Sequence, residues 1–404
     1  MGSTPILDEL EKGPWPSFVT EMKRAAAKKE NAKDLLGVLE LSMKEKRTHW
    51  KHGGIVGVRG YGGGIIGRYS DVPDQFPGVA HFHTVRINQP AGSYYKSDRL
   101  RELMQIWDKY GSGLTNFHGS TGDIILLGTN TDSLEPIFAE TSSRGWDLGG
   151  SGSALRTPNC CLGMSRCEWS RINTQEITYE MTQEFQDELH RPAFPYKFKI
   201  KVAGCAIDCI ASIARADCSV IGTWKDDIRI DQDEVRKYAK DTDLDIQQDV
   251  VERCPTGCMS YSEKDGLQID NSNCSRCMYC IARMTKALRP GEERGATILM
   301  GSKAPFEVGA LLSWVIVPFM EMEPPFDQLK AFIRASQEWW DEHGKNRERI
   351  GELIERRSFR DYIESVDAIL AEDYEDSGLR LNVDPRMVFE PRRDPFYFWQ
   401  EGDF

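Results

Sequence analysis

Residues 194–216 read FPYKFKIKVAGCAIDCIASIARA, and the two cysteines in the middle, Cys205 and Cys209, decide how the chain is read. Ahead of them Lys197, Lys199 and Lys201 alternate with Phe198, Ile200 and Val202. That period of two predicts a strand with one basic and one apolar face. Behind them IASIARA suits a helix, and C-x3-C puts two thiols on one face if the junction is a helical turn. Upstream, NCCLGMSRC supplies Cys161 and Cys167 at C-x5-C, with Cys160 as the adjacent alternative to Cys161. Together the two segments offer four thiolates to one cubane. Ordinary buried cysteines account for one or two such positions more easily than for four.

Further along, CSRCMYC places Cys274, Cys277 and Cys280 at C-x2-C-x2-C, a loop that turns three sulfurs toward one 4Fe–4S cluster. The fourth ligand of such a cluster is remote and followed by proline, which Cys254-Pro255 satisfies. Cys258 is the competing thiol and is read as a small buried side chain. Spacing alone does not separate the two. A zinc ribbon is the alternative for this segment, but zinc sites rarely run three cysteines in one x2-x2 series.

The chain has eleven cysteines, all between Cys160 and Cys280. An odd, clustered set with tight spacings points to metal rather than to a disulfide framework, hence to a reducing compartment. MGSTPILDELEKG carries acids where the basic start of a leader belongs, and the apolar run Val308–Met320 is too short to span a bilayer. The expected location is the cytoplasm. A net charge of -12 argues against a general nucleic-acid surface.

At 404 residues the chain is long enough for two or three packed units. Its first fifty residues are polar and helix-patterned. KHGGIVGVRGYGGGIIGRYSD, 51–71, lacks the Lys-Ser/Thr end of a phosphate loop and reads as close backbone packing or tight turns. VAHFHTVRI and GDIILLGT read as strands, and SDRLRELMQIWDKYG and TDSLEPIFAETSSRG as helices, an α+β pattern. The aromatic tail PRRDPFYFWQEGDF reads as a segment that docks on a neighbour.

The pattern C-x5-C, a long gap, then C-x3-C, from Cys161 to Cys209, resembles the cluster–siroheme signature of sulfite and nitrite reductases. TVRINQPAG, LTNFHGSTGDI, LRTPNCC, FPYKFKIKVAGC and RCPTGC bring the resemblance closer to the alpha subunits of dissimilatory sulfite reductases. It implies sulfite-reductase-type mixed α/β domains with an inserted ferredoxin-like 4Fe–4S domain. The expected boundaries are a helical segment and ferredoxin-like half-domain over 1–150, a siroheme and cluster domain over 151–235 and 301–404, and the insert over 236–300.

The same resemblance implies a siroheme-coupled cluster on Cys161, Cys167, Cys205 and Cys209, with Cys209 also the axial ligand of siroheme. A second cluster falls to Cys254, Cys274, Cys277 and Cys280. Arg86, Arg156, Lys197, Lys199 and Lys201 correspond to residues that bind sulfite, and Thr115, Asn116 and His118 to a segment lining the tetrapyrrole. Arg156 lies five residues before Cys161, so the chain itself keeps it near the cysteines. The lysines, without the cysteine beside them, would read as protection for an edge strand. The implied activity is six-electron reduction of sulfite toward sulfide. The implied partners are a homologous beta subunit in an α2β2 assembly, a small sulfur-accepting protein with a C-terminal cysteine, and a protein electron donor fed by a membrane complex. Three alternatives stay open: a siroheme nitrite reductase, a polyferredoxin without tetrapyrrole, and a subunit whose own tetrapyrrole is inactive or iron-free sirohydrochlorin.

Overall fold

The computed structural model describes residues 3–53, 56–88, 90–191, 194–303 and 310–381; the tail PRRDPFYFWQEGDF lies outside them. The chain forms two compact units. One is built from residues up to Thr157 with Phe185–Lys197, the other from Pro158–Glu184 with the chain from Phe198 on.

The first unit opens with the helices Pro5–Leu10, Phe18–Ala26 and Glu30–Glu45, in the stretch whose sequence is helix-patterned. Leu7, Val19, Ala32 and Leu36 pack between them. The Glu40 carboxylate accepts the amides of Ile6 and Leu7 at 3.0 Å each, which satisfies open donors at the start of the first helix. An antiparallel sheet follows, in the order Ile65–Ile66, His83–Ile87, Ile124–Thr129, Leu114–Phe117. The helices Ser97–Tyr110 and Leu134–Ser142 supply Leu103, Trp107 and Ile137 to a core shared with Val85, Ile87, Ile124 and Leu126 of the sheet. The glycine-rich run does pack backbone closely. Gly64 has φ +92°, and a Cβ there would stand 2.6 Å from that of Leu148.

The second unit is organised on a mixed sheet ordered Trp314–Met320, Arg294–Met300, Cys218–Trp224, Ile200–Ala203, Asn159–Cys160. The last three strands are parallel and the first two pairings antiparallel. The central strand Cys218–Trp224 is buried at every position, as its sequence CSVIGTW, without a charged residue, allows. The helices Asp327–His343, Ile350–Arg357 and Phe359–Asp373 bury Phe332, Trp339, Trp340 and Tyr362. Trp224 and Arg294 are register partners, so the chain between them leaves and re-enters the sheet at one point. That excursion carries the helix Gln232–Asp241, the hairpin Met259–Ser262 with Gly266–Ile269, and the short helix Tyr279–Arg283. It packs around Val235, Val250, Leu267, Ile281 and Met284.

Candidate cluster and anion site

The strand Ile200–Ala203 delivers the chain to Gly204, whose amide donates to the Cys161 Sγ at 3.1 Å. The helical turn expected over Cys205–Cys209 is not formed. Two successive turns replace it, closed by the Asp208 amide on the Cys205 carbonyl and the Ala211 amide on the Asp208 carbonyl, at 3.1 and 2.8 Å. Asp208 and Ala211 take φ of +46° and +51°. The cause is the Asp208 carboxylate, which accepts the amides of Ser212 and Ile213 and the Ser212 hydroxyl at 2.7–3.0 Å. Such side-chain bonding to backbone competes with helix, and here it delays the helix to Ser212–Arg215.

These turns leave Cys205 buried and Cys209 exposed. Burial pushes the Cys205 thiol up to about 11, the Ile207 amide opposes this, and Cys167, Cys161 and Cys209 add to the rise. Cys209 is raised by its surroundings and then by Cys161 and Cys167. The four thiols therefore occupy one neighbourhood, in which the others oppose ionisation of Cys205 and of Cys209, an arrangement that a central cation relieves. Cys161 is the member of the 160/161 pair felt there; Cys160 is buried in the strand Asn159–Cys160.

In the excursion, Cys254, Cys258, Cys274, Cys277 and Cys280 line one cavity with Ile228, Val250, Met259 and Ile269. CSRCMYC turns by a positive φ between each pair of cysteines, +57° at Arg276 and +66° at Met278. The Arg276 amide donates to the Cys274 Sγ at 3.4 Å. Sulfurs of Cys254 and Cys258 are 3.5 Å apart. Burial opposes ionisation of Cys254, but hydrogen bonds from the Thr256 hydroxyl and amide outweigh it and hold that thiol below its usual range. Burial pushes Cys258 up to about 12. Of this pair, Cys254 is the one at which the thiolate, the form that binds metal, is the more favoured. Among the described residues no three His, Cys, Asp or Glu side chains close to the spacing of one metal ion. A cubane binds each thiolate through a different iron and takes a wider ring of sulfurs.

In the first unit Arg86 and Arg156 are both buried. Arg86 Nη1 donates to Asp123 Oδ2 at 2.8 Å, and Asp123 also accepts the Thr121 hydroxyl. Burial pushes the Asp123 carboxyl up, and Arg86 pulls it back down. Nearby, Arg86 Nε, Asn88 Oδ1 and Tyr95 OH are buried with no hydrogen-bond partner among the described residues. Unpaired buried donors and acceptors of this kind suit a polar ligand. Arg156 Nη1 donates to the Ala154 carbonyl at 2.9 Å. The Thr115 hydroxyl meets the Met104 sulfur, Asn116 is exposed, and His118 Nδ1 lies 2.9 Å from the Thr121 hydroxyl, closing its own loop.

Of the three lysines only Lys201 lies in the strand, Ile200–Ala203. The strand stops short because the Lys199 amide donates to the Asp217 carboxylate at 2.8 Å instead of to a ladder. The apolar face still holds, with Phe198, Ile200 and Val202 buried. Lys201 is itself 1% exposed, and its Nζ donates to the Ile210 carbonyl at 2.8 Å. Burial pushes its pKa down to about 8, against the opposing pull of Asp208. The Lys197 ammonium lies 4.8 Å from the centre of the Tyr196 ring.

Two family models match the chain: Nitrite and sulphite reductase 4Fe-4S domain over residues 151–373, and Nitrite/Sulfite reductase ferredoxin-like half domain over 77–143. Over 99% of its length the chain is 52% identical to the dissimilatory-type sulfite reductase alpha subunit of Nitratidesulfovibrio vulgaris, covering 95% of that protein. The chain belongs to the dissimilatory-type sulfite reductase alpha subunits. An alpha subunit from Allochromatium vinosum is 42% identical over 98% of this chain and 93% of its own length. The crystal structure of dissimilatory sulfite reductase I superposes with a TM-score of 0.87 at 52% identity, over 99% of this chain and 95% of that one. The expected α+β reductase fold is therefore the fold observed.

As a sulfite reductase alpha subunit the chain is an oxidoreductase, and both cysteine sets fall inside its 4Fe–4S domain. No helix among the described residues is long and apolar enough to cross a membrane. Four residues of this sulfite reductase chain escaped the sequence reading. Asp123 holds Arg86, Asp217 holds Lys199, Asp208 shapes the turn before Cys209, and Arg171 donates its amide to Gly204. Asp123 stands inside a quoted segment and Asp208 between two ligand candidates, so position marked both. Nothing local marks Asp217.

Proposed function

We propose that the chain holds one 4Fe–4S cluster on Cys161, Cys167, Cys205 and Cys209 and a second on Cys254, Cys274, Cys277 and Cys280, with siroheme joined to the first through Cys209. The observation that carries this reading is the gathering of four thiols in one neighbourhood, Cys205 buried, Cys161 half-buried, and Cys167 and Cys209 open to solvent. Amides aimed at the Cys161 and Cys274 sulfurs suit thiolates bound to iron. Siroheme and its cubane, when bound, would relay electrons from a protein donor to sulfite, six for its reduction to sulfide.

The protein's own part is charge and protons. Arg86, Arg156, Lys197 and Lys199 offer cations to the anionic substrate and to the carboxylates of siroheme, a role they take from the family resemblance. Lys201, at about 8, is an acid poised near neutral pH and donates a proton toward a departing oxygen. The alpha designation of the relatives supports a homologous beta subunit, in an α2β2 assembly. A small sulfur-accepting protein with a C-terminal cysteine and a protein electron donor complete the reading, in the cytoplasm.

The test is an anaerobic absorption spectrum of the purified complex with iron, sulfide and tetrapyrrole counted and with turnover on sulfite and nitrite compared. Siroheme bands with two cubanes' iron per alpha chain are expected. One iron-free macrocycle per alpha–beta pair would move turnover to the beta chain, and a spectrum with no tetrapyrrole would leave only an electron carrier.

A further inference from the structure

Arg171 is buried four residues beyond Cys167. Its amide donates to the carbonyl of Gly204, the neighbour of Cys205, at 2.7 Å. Its guanidinium is held by main chain alone: Nε donates to the Trp169 carbonyl at 3.1 Å, Nη2 to Glu168 at 3.1 Å and Nη1 to Gly291 at 3.4 Å. No carboxylate among the described residues pairs with it. The nearby acids are engaged elsewhere, Glu168 with Arg289 at 2.8 Å and Glu292 with Arg229 at 2.6 Å. A buried guanidinium without a counter-ion is unfavourable unless negative charge lies close by. Burial first, then the surrounding cations Arg294 and Arg229, act against its charge, and the groups that favour it are Cys205 and Cys167.

The residue is thus fixed at both ends of the cysteine set, its guanidinium through the carbonyls just after Cys167 and its backbone amide through the carbonyl just before Cys205. A cluster's potential follows its net charge, its hydrogen bonds and its exposure. Resting on the ligand assignment above, we propose that Arg171 is the built-in counter-charge of the cubane on Cys161, Cys167, Cys205 and Cys209 and raises that cluster's reduction potential. An added electron places more negative charge beside a cation that neither moves nor titrates, so the reduced form is favoured.

The test uses the purified holoenzyme with Arg171→Gln, which removes the charge, and Arg171→Lys, which keeps it. Iron and sulfide are counted, and each cluster's midpoint is read by EPR during an anaerobic redox titration. In R171Q the reduced-to-oxidised ratio of this cluster, at the wild-type midpoint, should fall roughly tenfold, or 59 mV for one electron. The ferredoxin-like cluster should not move, and R171K should recover most of the shift. If R171Q loses the cubane while R171K keeps it, the charge is again what matters. A fully loaded R171Q with an unmoved midpoint, an equal shift in both variants, or loss of the cubane from both would overturn the proposal. A wild-type enzyme without a cubane signal from this cysteine set would instead overturn the ligand assignment.

Discussion

Arg349 closes on Asp217 with two bonds, Nε to Oδ1 at 2.6 Å and Nη2 to Oδ2 at 2.7 Å, and both side chains are buried. The same Oδ2 accepts the Lys199 amide at 2.8 Å. One carboxylate therefore ties the residue that precedes the helix Ile350–Arg357 to the approach of the strand Ile200–Ala203. Asp217→Ala would strand a buried guanidinium and an amide at once. The expected loss is about 3–5 kcal/mol, read from the denaturant midpoint. Asp217→Leu with Arg349→Met should lose distinctly less, because no charge is left unpaired. Equal losses in the single and double variants would mean that the ion pair is not what holds these segments together.

That pair also shows where sequence reading stops. The cysteine motifs stood out because the cysteines within each motif sit a few residues apart, and spacing is local information. The helices Ser97–Tyr110 and Leu134–Ser142 were legible for the same reason, through apolar period. Arg349 and Asp217 stand 132 residues apart, and no pattern near either one announces the other. The missed turn at Cys205–Cys209 is a subtler case. C-x3-C is compatible with a helix, but Asp208 spends its carboxylate on Ser212 and Ile213, and that local bond overrides the period. The run of alternating lysines was likewise cut short by a carboxylate brought in from the residue just ahead of the strand Cys218–Trp224, Asp217.

Lys201 gives the pH dependence. Its folded pKa, about 8, lies below the unfolded value of about 10.4. Between those values the folded chain binds fewer protons than the unfolded one, so stability rises with pH across that window. Below about 8 both states are charged and the burial penalty is fully present. With Lys201 in its proposed role of proton donor, turnover runs the other way, since the donor must be an ammonium. The rate with sulfite should fall as pH rises through about 8. Asp208 and Arg215, the charges that face Lys201, pull its pKa up and down respectively. Lys201→Arg should move the alkaline limb to higher pH, and Lys201→Met should remove it together with most of the rate. A limb that stays at about 8 in Lys201→Arg would assign it to another group.

Cys254 and Cys258 face the same cavity, and their chemistry separates them. Hydrogen bonds from Thr256 favour the thiolate at Cys254, whereas Cys258 holds its proton up to about 12. Cys258→Ala should keep the ferredoxin-like cluster, with iron and sulfide unchanged. Cys254→Ala should lose that cluster and about half of the iron–sulfur content, because three thiolates leave one iron without a protein ligand. Thr256→Val should weaken retention in the same direction by removing a donor to the Cys254 sulfur. Iron analysis of the three variants decides the matter, and cluster loss from Cys258→Ala alone would exchange the two roles.

The roles proposed for Cys209 and Cys277 separate the site of chemistry from the route of electrons. Cys209 is exposed at the end of the Asp208 turn, the position from which one sulfur can serve a cubane and a macrocyclic iron together. Cys277 lies in the CSRCMYC loop, within the cavity of the excursion. Cys209→Ser should lose the tetrapyrrole bands, since a hydroxyl is a poor bridge between two irons. Cys277→Ser should keep those bands and lose activity driven by a protein donor, while a small reductant that reaches the siroheme directly still supports some turnover. Both variants are read by anaerobic absorption and by paired assays with the two donors. Siroheme retained at full stoichiometry in Cys209→Ser would end the bridging role. Donor-driven activity retained in Cys277→Ser would remove the second cluster from the electron path.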